Sequence, residues 1–250
     1  MKTNPPVTVT LILCALAAFV SPSYGQSELP RLGVGAKVST LGIGIEAATG
    51  VTSHSNVRGG FNMFSYSRDF SRDGINYGGE LKLRSIEVHY DWFIFHGLHV
   101  SPGLLVNNRN RVEASAGVPG GQSFTLGGNT YTSNPANPVT GPARIDFSKN
   151  KVSPMLTLGV GNLLRRSGRR FSISFEGGVV FQSSPQATLN LAGSACFTGV
   201  CQNIASHPQL QNDVAAEQNK INEGLPPYDT IHTVLKYYPV VSIGFGYRFK

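Results

Sequence analysis

The chain has 250 residues and is basic overall, with 21 lysines and arginines against 14 aspartates and glutamates and a formal net charge of +7. Only 14% of the residues are charged, whereas 40% are hydrophobic and glycine occurs 29 times. A chain so rich in periodic apolar residues is not intrinsically disordered. Its length is that of a single domain. The sequence has no basic helix or aromatic–basic platform, so the positive charge does not predict a nucleic-acid partner.

The first residues have the pattern of a cleaved signal peptide. Lys2 supplies a basic start, and Val7–Val20 form an apolar stretch that is too short to cross a bilayer as a helix. Small residues, Ser23 and Gly25, then occupy the positions that a signal peptidase recognises. We therefore expect an exported protein rather than a buried core helix in this region. The predicted division is a signal peptide over residues 1–25 and a mature domain over residues 26–250.

Eight segments of the mature chain alternate apolar residues with small or polar ones, which is the period of β-strands that have one apolar face. The predicted strands are Arg31–Ser39, Gly42–Val51, Val57–Arg68, Gly79–Phe95, Leu98–Glu113, Gly141–Asn162, Phe171–Leu191 and Pro239–Phe249. The connections after the second, fourth and sixth strands are short. Those after the fifth and seventh are predicted to be long loops, over residues 114–140 and 192–233. An even strand number with alternating short and long connections is typical of outer-membrane barrels.

The C-terminal strand has the most specific pattern in the sequence. One face is apolar throughout and carries Val241, Ile243, Phe245, Tyr247 and Phe249. The other face is small or polar and includes Arg248. This segment resembles the closing strand of small bacterial outer-membrane β-barrel proteins of the outer-membrane-protein A/W-like kind. The resemblance implies an assembly signal at Tyr247 and Phe249 that the barrel-assembly machinery recognises, with the departure that Lys250 follows the terminal aromatic residue.

A barrel in lipid turns its apolar face outward, so the polar face of each strand lines the interior. An eight-stranded barrel is only wide enough for its own side chains, and buried charges need partners. The inward positive and negative charges balance, which favours a structural ion-pair plug over a conduction path, with His99 as a further member. The predicted lumenal charge network comprises Lys37, Glu46, Arg58, Glu87, His89, Asp91, Arg109, Glu176 and Arg248. Lys82 and Arg84 fall on the lipid face only at the outer end of their strand, so we expect them either above the bilayer or after a β-bulge.

Cys196 and Cys201 are predicted to form a short disulfide, because an exported chain reaches an oxidising compartment. A zinc site would need more ligands than these cysteines and His207, the nearest histidine, provide.

The second long loop contains a predicted helix that begins near Ser206 and ends at Gly224, with Leu210 and Val214 on a narrow apolar stripe. This helix either lies over the mouth of the barrel or forms an external interaction surface.

Two polar turns carry weaker signals. Arg165, Arg166, Arg169 and Arg170 concentrate positive charge in one turn, which is expected to face anionic phospholipid headgroups. The segment from residue 69 to residue 80 has the ligand spacing of a calcium loop, with candidate ligands Asp69, Ser71, Asp73 and Glu80. Strands flank this segment, whereas helices flank a calcium loop of this spacing. A hairpin loop is therefore the preferred interpretation.

The sequence shows no nucleophile elbow, metal-ligand cluster or phosphate loop. His54 and Ser55 are the nearest catalytic candidates for a lipid-modifying enzyme, but no orienting carboxylate accompanies them. No enzyme, cofactor or metal is therefore predicted.

The sequence predicts an all-β protein: an eight-stranded antiparallel transmembrane β-barrel with long external loops, one of which carries a short helix. We expect it in the outer membrane, with membrane lipid and the barrel-assembly machinery as partners and a structural, adhesive or surface-interaction role. The alternatives are a narrow porin-like channel for small or apolar solutes, a lipid-modifying enzyme and a secreted soluble barrel.

Overall fold

The structure is a computed structural model that describes residues 32–72, 75–95, 97–164 and 170–249. The predicted signal peptide and Lys250 lie outside the described residues. So do Arg165, Arg166 and Arg169 of the arginine-rich turn, and Asp73 of the candidate calcium loop.

Within these ranges the chain is predominantly β-structure, with fifteen strands and two short helices. The strands are β1 (Leu32–Ser39), β2 (Gly42–Thr52), β3 (Ser55–Arg72), β4 (Ile75–Phe95), β5 (Leu98–Val106), β6 (Arg111–Val118), β7 (Ser123–Leu126), β8 (Asn129–Ser133), β9 (Val139–Asp146), β10 (Ser153–Val160), β11 (Phe171–Phe181), β12 (Gln186–Leu189), β13 (Ser194–Phe197), β14 (Val200–Asn203) and β15 (Tyr237–Arg248). The helices are α1 (Pro208–Glu223) and α2 (Asp229–Lys236). The helix predicted in the second long connection is thus present as α1.

Eight strands form a closed ring in which each strand pairs with two antiparallel neighbours. The order around the ring is β1, β2, β3, β4, β5, β10, β11 and β15, and β15 pairs again with β1. Each ring strand overlaps one predicted strand. The end where β1 begins and β15 ends is called the lower end here, and the opposite end is called the upper end.

Residues in the ring strands alternate between the two faces over most of their length. Burial along β10 changes at every residue from Ser153 to Val160, with the odd-numbered residues buried and the even-numbered ones exposed. The outward face is apolar: Ile45, Trp92, Leu158 and Phe171 are 67%, 60%, 57% and 74% exposed. The period of two that predicts strands from the sequence is therefore also the period that separates an apolar exterior from a polar interior.

The two long connections fold instead of remaining loops, which corrects the expectation of irregular segments at residues 114–140 and 192–233. In its upper part, above the ring, β4 pairs with β6 instead of β5. The sheet then continues from β6 through β9 to β12. A second sheet has the order β14, β13, β8, β7. Together with α1 and α2, these strands form what we call the distal subdomain, residues 111–146 and 186–236. It has its own apolar core of Val118, Leu126, Tyr131, Val139, Ala195, Ile204, Leu210 and Val214.

Three predicted strands were too long. The fifth ends at Val106, because Asn107 adopts a left-handed backbone conformation with φ of 49° and turns the chain. The sixth is divided into β9 and β10, and the seventh into β11 and β12. In each case the outer part of the predicted strand belongs to the distal subdomain and not to the ring.

Candidate functional site inside the strand ring

Ring strands bring their charged side chains to one level inside the ring, and small residues leave room for them. A Cβ atom added to Gly103 would lie 2.5 Å from the carbonyl oxygen of Val88 and 2.9 Å from Nδ1 of His89. One added to Gly159 would lie 2.6 Å from Cγ of Glu176. Side chains larger than hydrogen are therefore excluded at these points, which explains why glycine is frequent on the inward face.

Arg58 on β3 is the centre of the interior contacts. Its Nε and Nη2 donate to the two carboxylate oxygens of Asp91 at 3.1 and 3.0 Å, a bidentate contact. Nη1 donates to Glu46 at 3.0 Å, and Nη2 also lies 2.6 Å from Oε1 of Glu176. Arg58 is only 3% exposed. One guanidinium thus joins carboxylates from β2, β4 and β11, and β11 does not neighbour β3 in the ring.

Lys37 on β1 makes the second set of ion pairs. Its ammonium group donates to Glu87 on β4 and lies 3.9 Å from Glu46 on β2. Because a buried charge without a partner is very costly, these contacts explain how the ring tolerates a lysine that is 5% exposed.

Two histidines and a serine complete the network. Nε2 of His99 lies 3.3 Å from Glu176, and Nε2 of His89 lies 3.6 Å from Glu87. The hydroxyl of Ser101 donates to Asp91 at 2.7 Å. Ser101 was not predicted as a member of the network, although the alternation of β5 places it on the same face as His99.

The structure brings seven of the nine predicted network residues together. The seven are Lys37, Glu46, Arg58, Glu87, His89, Asp91 and Glu176. Arg109 is exposed on the outside, because the turn at Asn107 ends the alternation of β5 before Arg109 is reached.

Arg248 is half-buried near the lower end, where its backbone N–H donates to the carbonyl of Arg170. It is four residues beyond Gly244, the register partner of Lys37. At about 3.3 Å per residue, it is therefore roughly 13 Å along the strand from the network. The structure thus places Arg109 outside the ring interior, whereas the membership of Arg248 in the network stays a prediction.

Apolar side chains close the ring interior below the charged network. Leu163 and Leu164 follow β10, fold back into the lower end and pack on Ala48. Oδ1 of Asn162 fixes this turn by accepting hydrogen bonds from the side chain of Asn56 at 2.9 Å and from the backbone N–H of Leu164 at 2.8 Å. A Cβ atom on Gly246 would lie 2.1 Å from Leu163, so the leucine fills the space beside that glycine. We call these two leucines the lower seal.

A second apolar cluster closes the interior above the network. Its members are Leu41, Leu105, Met155, Val180 and Val240, and we call them the upper seal. Leu41 belongs to the tight β1–β2 connection and is fully buried, so this turn folds inward. The hydroxyl of Tyr238 donates to the carbonyl of Thr40 at 2.7 Å and holds the turn in place. Along the ring interior, the charged network thus lies between two apolar clusters.

The other sequence candidates lie outside the ring interior or at its rim. The predicted disulfide between Cys196 and Cys201 is present and links cross-strand neighbours of β13 and β14. Tyr247 and Phe249 form an aromatic cluster with Phe171 at the lower end, with ring centroids 5.3 Å apart in both contacts. Their role as an assembly signal stays a prediction.

The candidate calcium ligands that are described lie on the two strands of an extended hairpin. Asp69 and Ser71 are on β3, and Glu80 is on β4, where it pairs with Lys82 at 2.8 Å. This geometry agrees with a hairpin. In the described ranges, no group of three or more histidine, cysteine or acidic side chains could hold a metal ion.

The nearest catalytic candidates do not contact each other. Nδ1 of His54 lies 2.8 Å from the hydroxyl of Ser53, whereas the hydroxyl of Ser55 lies 2.7 Å from that of Thr52. The enzyme alternative thus gains no support from this pair. Among the described helices, none has the length and apolar character needed to cross a membrane.

No family model and no curated protein matches the chain. Two crystal structures of proteins from Acinetobacter baumannii are similar to it. CarO has a TM-score of 0.56 and 20% identity, over 90% of this chain and 100% of that chain. CarO2 has a TM-score of 0.55 and 19% identity, over 89% of this chain and 100% of that chain. At this level of identity the likeness shows a shared fold.

Proposed function

We propose that the chain is an integral outer-membrane β-barrel protein that conducts no solute and presents a folded domain above the membrane. One observation carries this proposal: the ring is apolar outside and charged inside. Leu158 and Phe171 on the outward face are 57% and 74% exposed, whereas Arg58 and Glu87 inside are 3% and 1% exposed. In a soluble protein the distribution is the reverse, because apolar residues fill the core and charged residues remain in water.

The dimensions of the ring strands fit a membrane. A strand that crosses a bilayer needs about 9–11 residues, and β2, β11 and β15 have 11, 11 and 12. Aromatic residues border the apolar surface at both ends, as in outer-membrane barrels. At the upper end, Phe181 packs edge-on against Tyr237 at 6.3 Å. At the lower end, the Phe171–Tyr247–Phe249 cluster has the same role. The fold shared with the two CarO proteins supports this assignment.

The filled interior favours a structural or surface-interaction role over a channel. The three layers inside the ring leave the polar network between two apolar seals. The distal subdomain, in contrast, lies outside the ring and has its own core, so it is the part that an external partner meets first. We therefore assign the contact with the surroundings to the distal subdomain and the membrane anchor to the ring.

Cell fractionation combined with gel migration before and after heating tests the proposal. The protein is expected in the outer-membrane fraction, with a folded form that migrates differently from the boiled form. A protein that stays in the soluble fraction and gives one migration form would refute it.

The narrow-channel alternative is tested separately by recording from planar bilayers that contain the purified protein. We expect no discrete conductance steps. Reproducible single-channel steps would contradict a sealed interior and favour the channel.

A further inference from the structure

Three cations lie side by side on the outer face of the ring, just above its apolar surface. We call Arg84, Arg109 and Lys151 the basic patch, and all three side chains are exposed. Two backbone hydrogen bonds bring their segments together. The N–H of Arg109 donates to the carbonyl of Arg84 at 2.9 Å, and the N–H of Asn108 donates to the carbonyl of Lys151 at 3.1 Å. The patch is thus built from β4, the segment after β5 and the segment before β10.

On β4 and β5, outward apolar residues begin directly below the basic patch. The next outward residue below Arg84 on β4 is Ile86, which pairs with Val106 on β5. The guanidinium carbon of Arg84 lies 5.9 Å from the centroid of the Phe61 ring. An arginine at such a boundary keeps its stem on apolar surface and its charge in the polar zone. In the proposed membrane-spanning protein, this is the depth of the outer headgroups.

Among the described residues, no carboxylate forms an ion pair with the patch. Lys82 and Arg111, which lie just above it, share Glu113 at 2.7 and 2.6 Å. In the described ranges, no ion pair of 4.0 Å or less involves a basic-patch side chain. Like charges on neighbouring segments repel each other, as they do on neighbouring strands of a sheet. An anion from outside the protein would remove this repulsion.

From these contacts we infer that the basic patch binds a phosphate group of a membrane glycolipid in the outer leaflet. The inference rests on the proposed function, because it needs the ring to span the membrane. Arginine pairs with phosphate through two parallel N–H donors, and lysine adds a point charge. The lipid source is favoured over a free anion because exposed apolar side chains continue below the patch and meet the acyl chains. Val88 on β4 and its register partner Leu104 on β5, for example, are 44% and 38% exposed.

The test uses the folded full chain in neutral detergent and measures lipid binding by native mass spectrometry. The probes are lipid A with two phosphates, the same lipid without phosphates, and inorganic phosphate. The triple variant Arg84→Gln, Arg109→Gln, Lys151→Gln is compared with a control of equal charge change, Arg68→Gln, Arg144→Gln, Lys220→Gln. Each cation near a membrane surface contributes about fivefold to binding, so the patch variant is expected to bind phosphorylated lipid roughly 100-fold more weakly. The control is expected to bind as the unaltered protein does.

Three results would overturn the inference. One is equal binding by the patch variant and the control, and another is equal binding of the lipid with and without phosphates. The third is binding of inorganic phosphate that is as tight as binding of the lipid, which would show that the patch binds a free anion. Heat-dependent gel migration verifies folding of each variant, and single Arg109→Gln is measured if the triple variant does not fold. A chain that never inserts into membranes refutes the proposed function, whereas an inserted chain without phosphate selectivity refutes only this inference.

Discussion

Arg58 and Glu176 meet inside the ring at 2.6 Å, although their strands β3 and β11 are not neighbours. The pair crosses the interior, so it fixes the distance between opposite walls. Removal of Arg58 leaves Asp91, Glu46 and Glu176 buried without their main cation. We expect Arg58→Ala to destabilise the folded ring by about 3–5 kcal/mol, the usual cost of breaking a buried ion pair. Urea unfolding of the protein in lipid vesicles measures this cost.

A matched control for that variant is Arg144→Ala, since Arg144 forms an exposed pair with Asp146 at 2.8 Å. Exposed pairs contribute about 0–1 kcal/mol. Equal effects of the two substitutions would mean that the interior network does not stabilise the ring.

Leu158 tests whether the apolar exterior contacts lipid. It faces outward on β10 and is 57% exposed. We expect Leu158→Arg to cost about 2–4 kcal/mol in a bilayer, and therefore to reduce the folded fraction in vesicles. The same change at Phe197, an exposed apolar residue of the distal subdomain at 52%, should have little effect. If Leu158→Arg folds as well as Phe197→Arg, the ring exterior is not in contact with lipid.

We expect that the lower seal can be removed without opening the ring interior to solutes. Leu163→Ala with Leu164→Ala removes apolar side chains that are 7% and 2% exposed. A buried Leu→Ala change costs about 2–5 kcal/mol, so thermal stability should fall. Planar-bilayer recordings should still give no conductance steps, because the charged network and the upper seal remain. Steps in this variant would show that the two other layers do not close the interior.

The disulfide is expected to stabilise the distal subdomain and not the ring. Closing a short loop contributes about 2 kcal/mol by restricting the unfolded chain. Replacing Cys196 and Cys201 by alanine should speed proteolysis of residues 186–236 and leave heat-dependent gel migration unchanged. Loss of the folded ring in this variant would contradict the separation of the two parts.

Because of the contacts of Glu113, we expect the stability of the distal subdomain to depend on pH. Hydrogen bonds from Lys82 and then Arg111 lower the pKa of Glu113 from 4.5 to about 2. A carboxyl group with a lowered pKa stabilises the folded state above its unfolded value, and this stabilisation is lost as the pH falls from about 4.5 towards 2. Pepsin cleavage within residues 111–146 should therefore increase across this range in the unaltered protein. Glu113→Gln should abolish this part of the dependence, and an unchanged pH profile in the variant would argue against the contact.

The ring strands and much of the interior network could be predicted from the sequence, because both follow from one local rule. Alternation along a strand assigns each residue to a face without knowledge of the partner strand. Seven of the nine predicted network residues are found together on that basis. The rule fails where the backbone departs from extended geometry, as at Asn107 with φ of 49°. Arg109 was misplaced for that reason.

The seals and the distal subdomain could not be predicted because their contacts are non-local. Leu41 and Leu163 lie in turns, where no period indicates which way a side chain points. Strands such as β7 and β13 have four residues each, too few for alternation to be distinguished from chance. The pairing of β13 with β8 joins two connections that are separated in the sequence by the ring strands β10 and β11.

The continuous strand β4 has a consequence for the order of folding. Its 21 residues pair with β5 in the ring and with β6 above it. The β3–β4 hairpin has close neighbours in sequence and so closes early. The strands β6, β9 and β12 can then add in turn to its upper half, which serves as their template. The last of them, β12, follows β11 in the chain, so the sheet above the ring is completed only after the penultimate ring strand has been synthesised. A chain truncated before residue 186 would therefore retain the template and lack the final strand of this sheet.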